Sequence, residues 1–264
     1  MSPIRSKAES SGGLKLSLFD LLDHYPERGA SLEDRYRDHL DRAVCAEGLG
    51  FHGVFVAEHH FSDFGVAPNP AVFLAAVAAR TDRIRLGPAV AVLPFRHPMQ
   101  VVEDYSMVDQ LSGGRLVLAV GSGSEASEFR GFGLDPATKR AAFDDRLPVV
   151  AAAFSSRSDA GQPRSPLATA PPIFLAATSP GGARAAGSGG FGLLTLASPG
   201  TESLDDVIAR IHAYRTGQGR REQNPRTDGV IVTVLCHLAV GVEKSLERRR
   251  RFASCPGAVL GEVA

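Results

Sequence analysis

Glu58, His59 and His60 stand in a row before Phe61, and this segment concentrates side chains able to exchange protons near neutral pH. An imidazole placed there can move a proton or donate a hydrogen bond to a developing anion. On an extended segment consecutive side chains point to opposite faces, so one histidine reaches a site while its neighbour packs. The same alternation argues against a shared metal, and no zinc-type spacing of Cys and His occurs elsewhere. Pro94 to His97 carries a further histidine. Two small loops, Gly121-Ser122-Gly123-Ser124 and Thr178-Ser179-Pro180-Gly181-Gly182, offer hydroxyls and backbone N–H groups of the kind that hold phosphate at the start of a helix. Loops of this type are also an ordinary way to leave a strand. Two of them, with the cationic Arg140 between them in sequence, point to a phosphate-bearing cofactor.

The elements that position these groups alternate between strand and helix. Leu14–Leu22 reads as a first strand, and Ser31 with Asp34 forms a capping signal for a helix carrying Leu32, Tyr36, Leu40, Ala43 and Val44 in phase. Val54–Ala57 is a second strand, Asn69–Arg80 a helix, and Ile84–Leu93 a third strand. His97-Pro98 opens a helix that Ser112-Gly113-Gly114 ends, and Leu116–Val120 follows as a strand. Phe143–Phe154 is a further helix; Ser155–Pro172 is a loop; Ile173–Ala177, Phe191–Leu196 and Val230–Val240 are strands, with Leu204–Thr216 helical between the last two. Pro180–Gly189 is short and Gly-rich.

This rhythm predicts a parallel α/β architecture with right-handed crossovers. No GxGxxG follows the first strand, so a dinucleotide-binding doubly wound sheet is disfavoured and a (β/α)8 barrel of the TIM type is expected. Seven strands can be counted. Beyond Val240 comes a charged helix, Glu243–Phe252, and no clear β-run, so the barrel reads as shortened, with its eighth unit missing or degenerate. Residues 14–264 form one barrel domain behind a disordered tail, residues 1–13. In such a barrel the working groups stand at the C-terminal ends of strands, where Glu58–Phe61 and Pro94–His97 fall.

Composition narrows the ligand. Lys plus Arg and Asp plus Glu number 29 each in 264 residues, so no overall field draws the chain to nucleic acid or an anionic membrane. With 44% hydrophobic residues the chain can build a core, and its longest apolar stretch, Ala71–Ala79, is too short to span a bilayer. A small-molecule partner and a soluble, cytoplasmic protein are expected. The three cysteines, Cys45, Cys236 and Cys255, are widely spaced and read as structural thiols of a reducing compartment.

Several ordered motifs go further. Glu58-His59-His60-Phe61-Ser62-Asp63-Phe64-Gly65, Asn69-Pro70, Arg83-Ile84-Arg85-Leu86-Gly87, Val92-Leu93-Pro94, His97-Pro98 and Asp109-Gln110-Leu111-Ser112-Gly113-Gly114-Arg115 together strongly resemble the bacterial luciferase-like flavin-dependent monooxygenases. The resemblance runs from about Leu14 to Phe154 and resumes at Pro171–Leu194. It implies an eight-fold barrel that binds reduced FMN, or the deazaflavin F420, at its C-terminal mouth. It matches His59 to the family histidine that assists the oxygen chemistry of the reduced flavin, and leaves His60 a structural role. Ala89 and Val90 match a site where the family often carries a non-proline cis peptide against the isoalloxazine ring; Ser122, Arg140, Thr178, Ser179 and Gly182 match positions that hold the flavin phosphate. The implied function is a monooxygenase acting on a small organic substrate with O2 and with reduced FMN from a separate flavin reductase, with a homodimer as the expected assembly. The alternatives are an F420-dependent dehydrogenase of the same superfamily or a non-catalytic flavin-binding or partner subunit. Gly121 stands where luciferase proper has a reactive cysteine, so light emission is not implied; Ser155–Pro172 is shorter than the corresponding family region.

Overall fold

The computed structural model describes residues 14–154, 170–197, 203–219 and 229–234. The expected tail at residues 1–13, most of the expected loop after Phe154, the chain beyond Val234 where a charged helix is expected, and Cys236 and Cys255 lie outside the described residues. Strands and helices alternate: β1 (Ser17–Asp20), α1 (Leu32–Gly48), β2 (Gly53–Val56), α2 (Pro70–Arg80), β3 (Arg85–Pro88), β4 (Ala91–Val92), α3 (Pro98–Leu111) and β5 (Leu118–Gly121). Then come α4 (Ala126–Gly131), α5 (Lys139–Phe154), β6 (Ile173–Ala176), α6 (Pro180–Ser188), β7 (Gly192–Ala197), α7 (Leu204–Gln218) and β8 (Val230–Val234).

Every strand pair is parallel, in the orders β1-β2-β3 and β4-β5-β6-β7-β8. A bridge between Leu86 and Leu116 joins the two sheets, so β3 and β4 are the halves of one barrel strand, separated at a cis Ala89–Val90 peptide. The run read as one strand, Ile84–Leu93, is thus split where the backbone turns over. Counted this way the barrel has seven described strands, the number expected from the sequence, with β1 and β8 at its open edges. Over the described residues the fold is a parallel α/β barrel of seven strands, consistent with a shortened barrel.

Parallel strands covered on both faces read as continuous apolar runs, and two clusters show why. Phe55, Val117, Ala119, Phe174 and Leu194 fill the barrel interior, with Phe19, Ala89, Val90, Ala176 and Ile231 packed beside them. Alternate strand residues, among them Val54, Val56, Leu86, Leu118, Leu175 and Leu193, face the helices instead. A cavity of about 1420 Å³ follows the interior and the seam between β1 and β8.

Local chemistry accounts for the element ends. Ser31 Oγ accepts the Asp34 N–H at 3.1 Å, and Asn69 and His97 cap α2 and α3, each followed by a proline at the first helical position. His97, a candidate for chemistry, is therefore engaged as an exposed cap whose Nδ1 accepts the Met99 N–H. Gly113 and Gly114 both adopt positive φ, which turns the chain after α3. Arg115 then folds back into the core: its guanidinium donates to Ala78 O, Thr81 O, Thr81 Oγ1, Ile84 O and Ser112 O, while Asp109 accepts the Leu116 N–H. The Asp109–Arg115 motif is thus a clamp between α2, α3 and the sheet. Cys45 lies exposed on α1 and does not pack in the core. The short, Gly-rich Pro180–Gly189 is mostly helix despite its glycines, and α4 and the first turn of α5 carry no clear periodic signal.

Glu47 at the end of α1 accepts the backbone N–H groups of Asp82, Arg83 and Ile84, which enter β3. Burial works against its ionised form, but these three bonds outweigh it and hold its carboxyl below the ordinary value of 4.5. A depressed folded value means that the stabilisation is complete above the ordinary range and disappears as pH falls through the lower value. Glu47→Gln is expected to cost about 1 kcal/mol near pH 7, the screened end of the range for charge-assisted bonds, and less at pH 3. Thermal denaturation of both proteins across pH 3–7 checks this; a constant gap would remove the carboxylate from the account.

Candidate active site

At the C-terminal ends of β2, β4 and β5 the structure gathers two carboxylates and two imidazoles. Glu58 is buried, and its Oε2 accepts the Val92 N–H at 3.1 Å while Oε1 lies 3.1 Å from His60 Nε2. Glu128, buried on α4, places Oε1 2.9 Å from both His59 Nδ1 and the His60 backbone nitrogen. Burial raises the Glu128 carboxyl, yet the His59 and His60 bonds more than offset that and keep it below its ordinary value. An ionised Glu128 accepts a proton donor at His59 Nδ1, so His59 Nε2 is the ring nitrogen left for proton exchange.

The two rings diverge. His59 meets Phe64 edge-on at 5.1 Å, and His60 sits among Phe61, Phe95 and Phe132 with centroids 4.8 to 6.0 Å away. Gly65 explains one close approach: a Cβ there would lie 2.8 Å from His59 Cβ and 3.0 Å from Leu21 O. Phe61 has φ of 57°, and its exposed ring covers Gly131, where a Cβ would stand 2.4 Å from it. Beneath this layer the Tyr105 phenol is fully buried, and burial followed by the Glu58 charge pushes it well above its ordinary value.

A second part of the mouth is the turn from β6 into α6. Ser179 caps α6, its Oγ accepting the Gly182 N–H at 3.2 Å, and Pro180 occupies the first helical position. Thr178 and Ser179 are exposed, and open space surrounds the Cα of Gly181, so amides and hydroxyls of this turn are accessible to an anion. Ser122 follows β5, beside Gly123 at φ of 80°. Gly121 has no room for more: a Cβ would lie 2.6 Å from Val90 Cγ2. Of the candidate catalytic and flavin-binding residues the cavity lining includes Ala89 alone, so it marks the barrel interior and seam rather than the histidine side of the mouth.

The family model for luciferase-like monooxygenases matches residues 14–255. The chain belongs to that family. Limonene 1,2-monooxygenase of Rhodococcus erythropolis is 30% identical over 210 residues, which cover 74% of this chain and 53% of that enzyme. The monooxygenase RslO1 of Streptomyces bottropensis superposes with a TM-score of 0.76 at 25% identity, over 90% of this chain and 76% of its own. The oxygenating constituent of 3,6-diketocamphane monooxygenase from Pseudomonas putida, solved with FMN, gives 0.68 at 19% identity over 83% and 66%, a likeness of fold. The chain spans about half or less of the curated relatives it matches.

On this luciferase-like barrel, His59, Ala89, Val90 and Ser122 stand at the ends of β2, β3, β4 and β5, and Thr178, Ser179 and Gly182 at the end of β6. Arg140 is on the first turn of α5, exposed, with Nε donating to Asp144 Oδ2 at 2.8 Å and its guanidinium 5.6 Å from the Phe143 ring centroid. The motif around His59 contains Glu58 but gives it no role, and nothing in the sequence marks Glu128: it lies 69 residues from His59, and a lone glutamate in a short helix carries no periodic signal. Among the described residues no group of three or more His, Cys, Asp or Glu is arranged to hold a metal, and no helix is long and apolar enough to cross a membrane.

The glycine contacts separate two substitutions. Gly65→Ala forces a Cβ against the Leu21 backbone carbonyl and the base of His59, neither of which can move aside as a side-chain tip can, and is expected to destabilise by about 1–3 kcal/mol, as overpacking does. Gly131→Ala meets only the exposed Phe61 ring, which can swing aside, and is expected to stay within about 1 kcal/mol of the parent. Urea denaturation of the two variants measures the difference; equal losses would show that the His59 side is no tighter than the rim.

Proposed function

We propose that this protein is a flavin-dependent monooxygenase that uses reduced FMN, supplied by a separate flavin reductase, and O2 to oxidise a small organic substrate. The observation that carries the reading is the His59–Glu128 pair at the C-terminal mouth of a luciferase-like barrel. When bound, reduced FMN supplies the electrons that activate O2 for transfer of one oxygen atom to the substrate.

The residues fit such a group. The barrel interior offers an apolar wall for a flat ring, with Ala89 and Val90 closing its upper end. Ser122, Thr178, Ser179 and Gly182 supply hydroxyls and amides for a phosphate, and the free end of α6 adds its dipole. Arg140 joins them by exchanging Asp144 for the phosphate. His59 takes or gives the proton at Nε2, while Glu128 holds Nδ1–H and keeps the ring oriented; this is general acid–base assistance with a fixed tautomer. His60, held by Glu58 among phenylalanines, maintains the wall behind it. The fold relative from Pseudomonas putida was solved with FMN, which is compatible with this cofactor here. A cytoplasmic setting and a homodimer accompany the reading; the exposed thiol of Cys45 suits a reducing compartment.

Oxygen uptake and product formation are measured with a reductase, FMN and a panel of aldehydes, ketones and alkenes. Product that requires both FMN and O2 is expected. Anaerobic turnover with F420 would replace this reading by a dehydrogenase, and flavin binding without turnover under either condition would replace it by a non-catalytic role. His59→Ala should slow turnover by roughly 10²–10⁴-fold with FMN affinity nearly unchanged. A loss of FMN binding equal to the loss of rate would make His59 a binding residue instead.

Arg140→Ala tests the phosphate contact separately. Because the Asp144 partner must be given up, FMN binding should weaken by about 1.5 kcal/mol, the low end for a bond to a charged group. Fluorescence titration of wild type and variant measures it, and equal affinities would remove Arg140 from the site.

A further inference from the structure

Among the described residues Arg210 is the bulkiest fully buried side chain, with only 2% of its surface exposed. Carrying a guanidinium into the interior costs several kcal/mol of hydration unless something there needs its charge or its fork of donors. Its Nη1 donates to Thr178 O at 3.0 Å and its Nη2 to Leu196 O at 2.9 Å. Thr178 immediately precedes Ser179, the cap of α6, so the fork lies directly behind the turn whose hydroxyls and amides face the mouth.

The helix that carries Arg210 has no freedom to slide. A Cβ on Gly187 of α6 would lie 2.2 Å from Tyr214 O of α7, and a Cβ on Gly217 of α7 would lie 2.2 Å from Arg184 O of α6. The two backbones therefore meet directly, and Tyr214, one turn beyond Arg210, anchors α7 further by donating to Phe191 O. At the other end, Ser203 and Asp206 form a capping box, and the bonds from Ser203, more than the nearby Arg210 charge, hold the Asp206 carboxyl below its ordinary value. Backbone contact and capping together fix where the guanidinium falls.

We propose that Arg210 is the positioning residue of the flavin-phosphate turn. Its fork ties the carbonyl that leaves β6 to the carbonyl near the end of β7, which sets the aim of the Ser179 hydroxyl and the Gly181 and Gly182 amides. Its charge, shared with the nearby Asp206 carboxylate, adds long-range attraction for a phosphate dianion without touching it. The inference rests on the reading of Thr178–Gly182 as the phosphate site.

Riboflavin, which lacks the phosphate, makes the test specific. Calorimetric titrations of the full chain with anaerobically reduced FMN and reduced riboflavin are compared for wild type, Arg210→Met and Arg210→Lys. Arg210→Met should weaken FMN about tenfold or more and riboflavin less than about twofold, with Arg210→Lys, which keeps the charge and loses the fork, between wild type and Met. Parallel losses for the two flavins would reduce Arg210 to general packing, and unchanged FMN affinity in either variant would overturn the proposal outright. Should Arg210→Met not fold, the Lys variant carries the same comparison. A wild type that binds FMN no better than riboflavin would instead overturn the phosphate site itself, and the role of Arg210 with it.

Discussion

A buried carboxylate tolerates its surroundings only when both oxygens have partners, and Glu58 makes that requirement the organising contact of the mouth. One oxygen receives the N–H of Val92 and the other faces His60, so the end of β2 is bound to β4 across the point where the barrel strand is interrupted. With Glu58 held, the chain after β2 has to run outward at a set height. His59 then falls opposite α4, where Glu128 takes both its Nδ1 and the His60 amide. The layer of Phe61, Phe95, Phe129 and Phe132 closes over these polar pairs and limits water around them.

The other half of the mouth depends on a different constraint, the absence of side chains. α6 is built from a proline start and three glycines, a composition that by propensity disfavours helix. It forms because Ser179 caps it and because Gly187 lets α7 approach to backbone contact. The same contact delivers the buried Arg210 to the turn. Propensity is thus overridden by packing, and the glycines that weaken the helix locally are those that leave its start open and its back close to its neighbour.

Much of this was legible in the chain itself. The apolar runs of the strands, the caps at Ser31, Asn69 and His97, and the glycines after α3 each have a local physical signal, so the parallel α/β barrel and its seven described strands are readable in the chain. The motif around Glu58–Gly65 was visible as a concentration of titratable groups at a strand end. Less visible was the role of the Asp109–Arg115 segment, which carries part of the family resemblance and whose geometry is that of an internal clamp.

The sequence by itself determined which residues could form strands, which could begin helices, and which side chains have the chemistry to move protons or hold a phosphate, because those properties reside in single residues and their near neighbours. Tertiary structure alone decided the partners. Glu128 reaches His59 across 69 residues, Val92 reaches Glu58 across 34, and Arg210 reaches Thr178 across 32. No periodicity encodes such pairings; they arise when parallel strands align their C-terminal ends and helices pack behind them, which brings distant residues within hydrogen-bond distance. Even the choice between adjacent histidines is of this kind, since His59 and His60 are identical side chains separated only by what surrounds each ring.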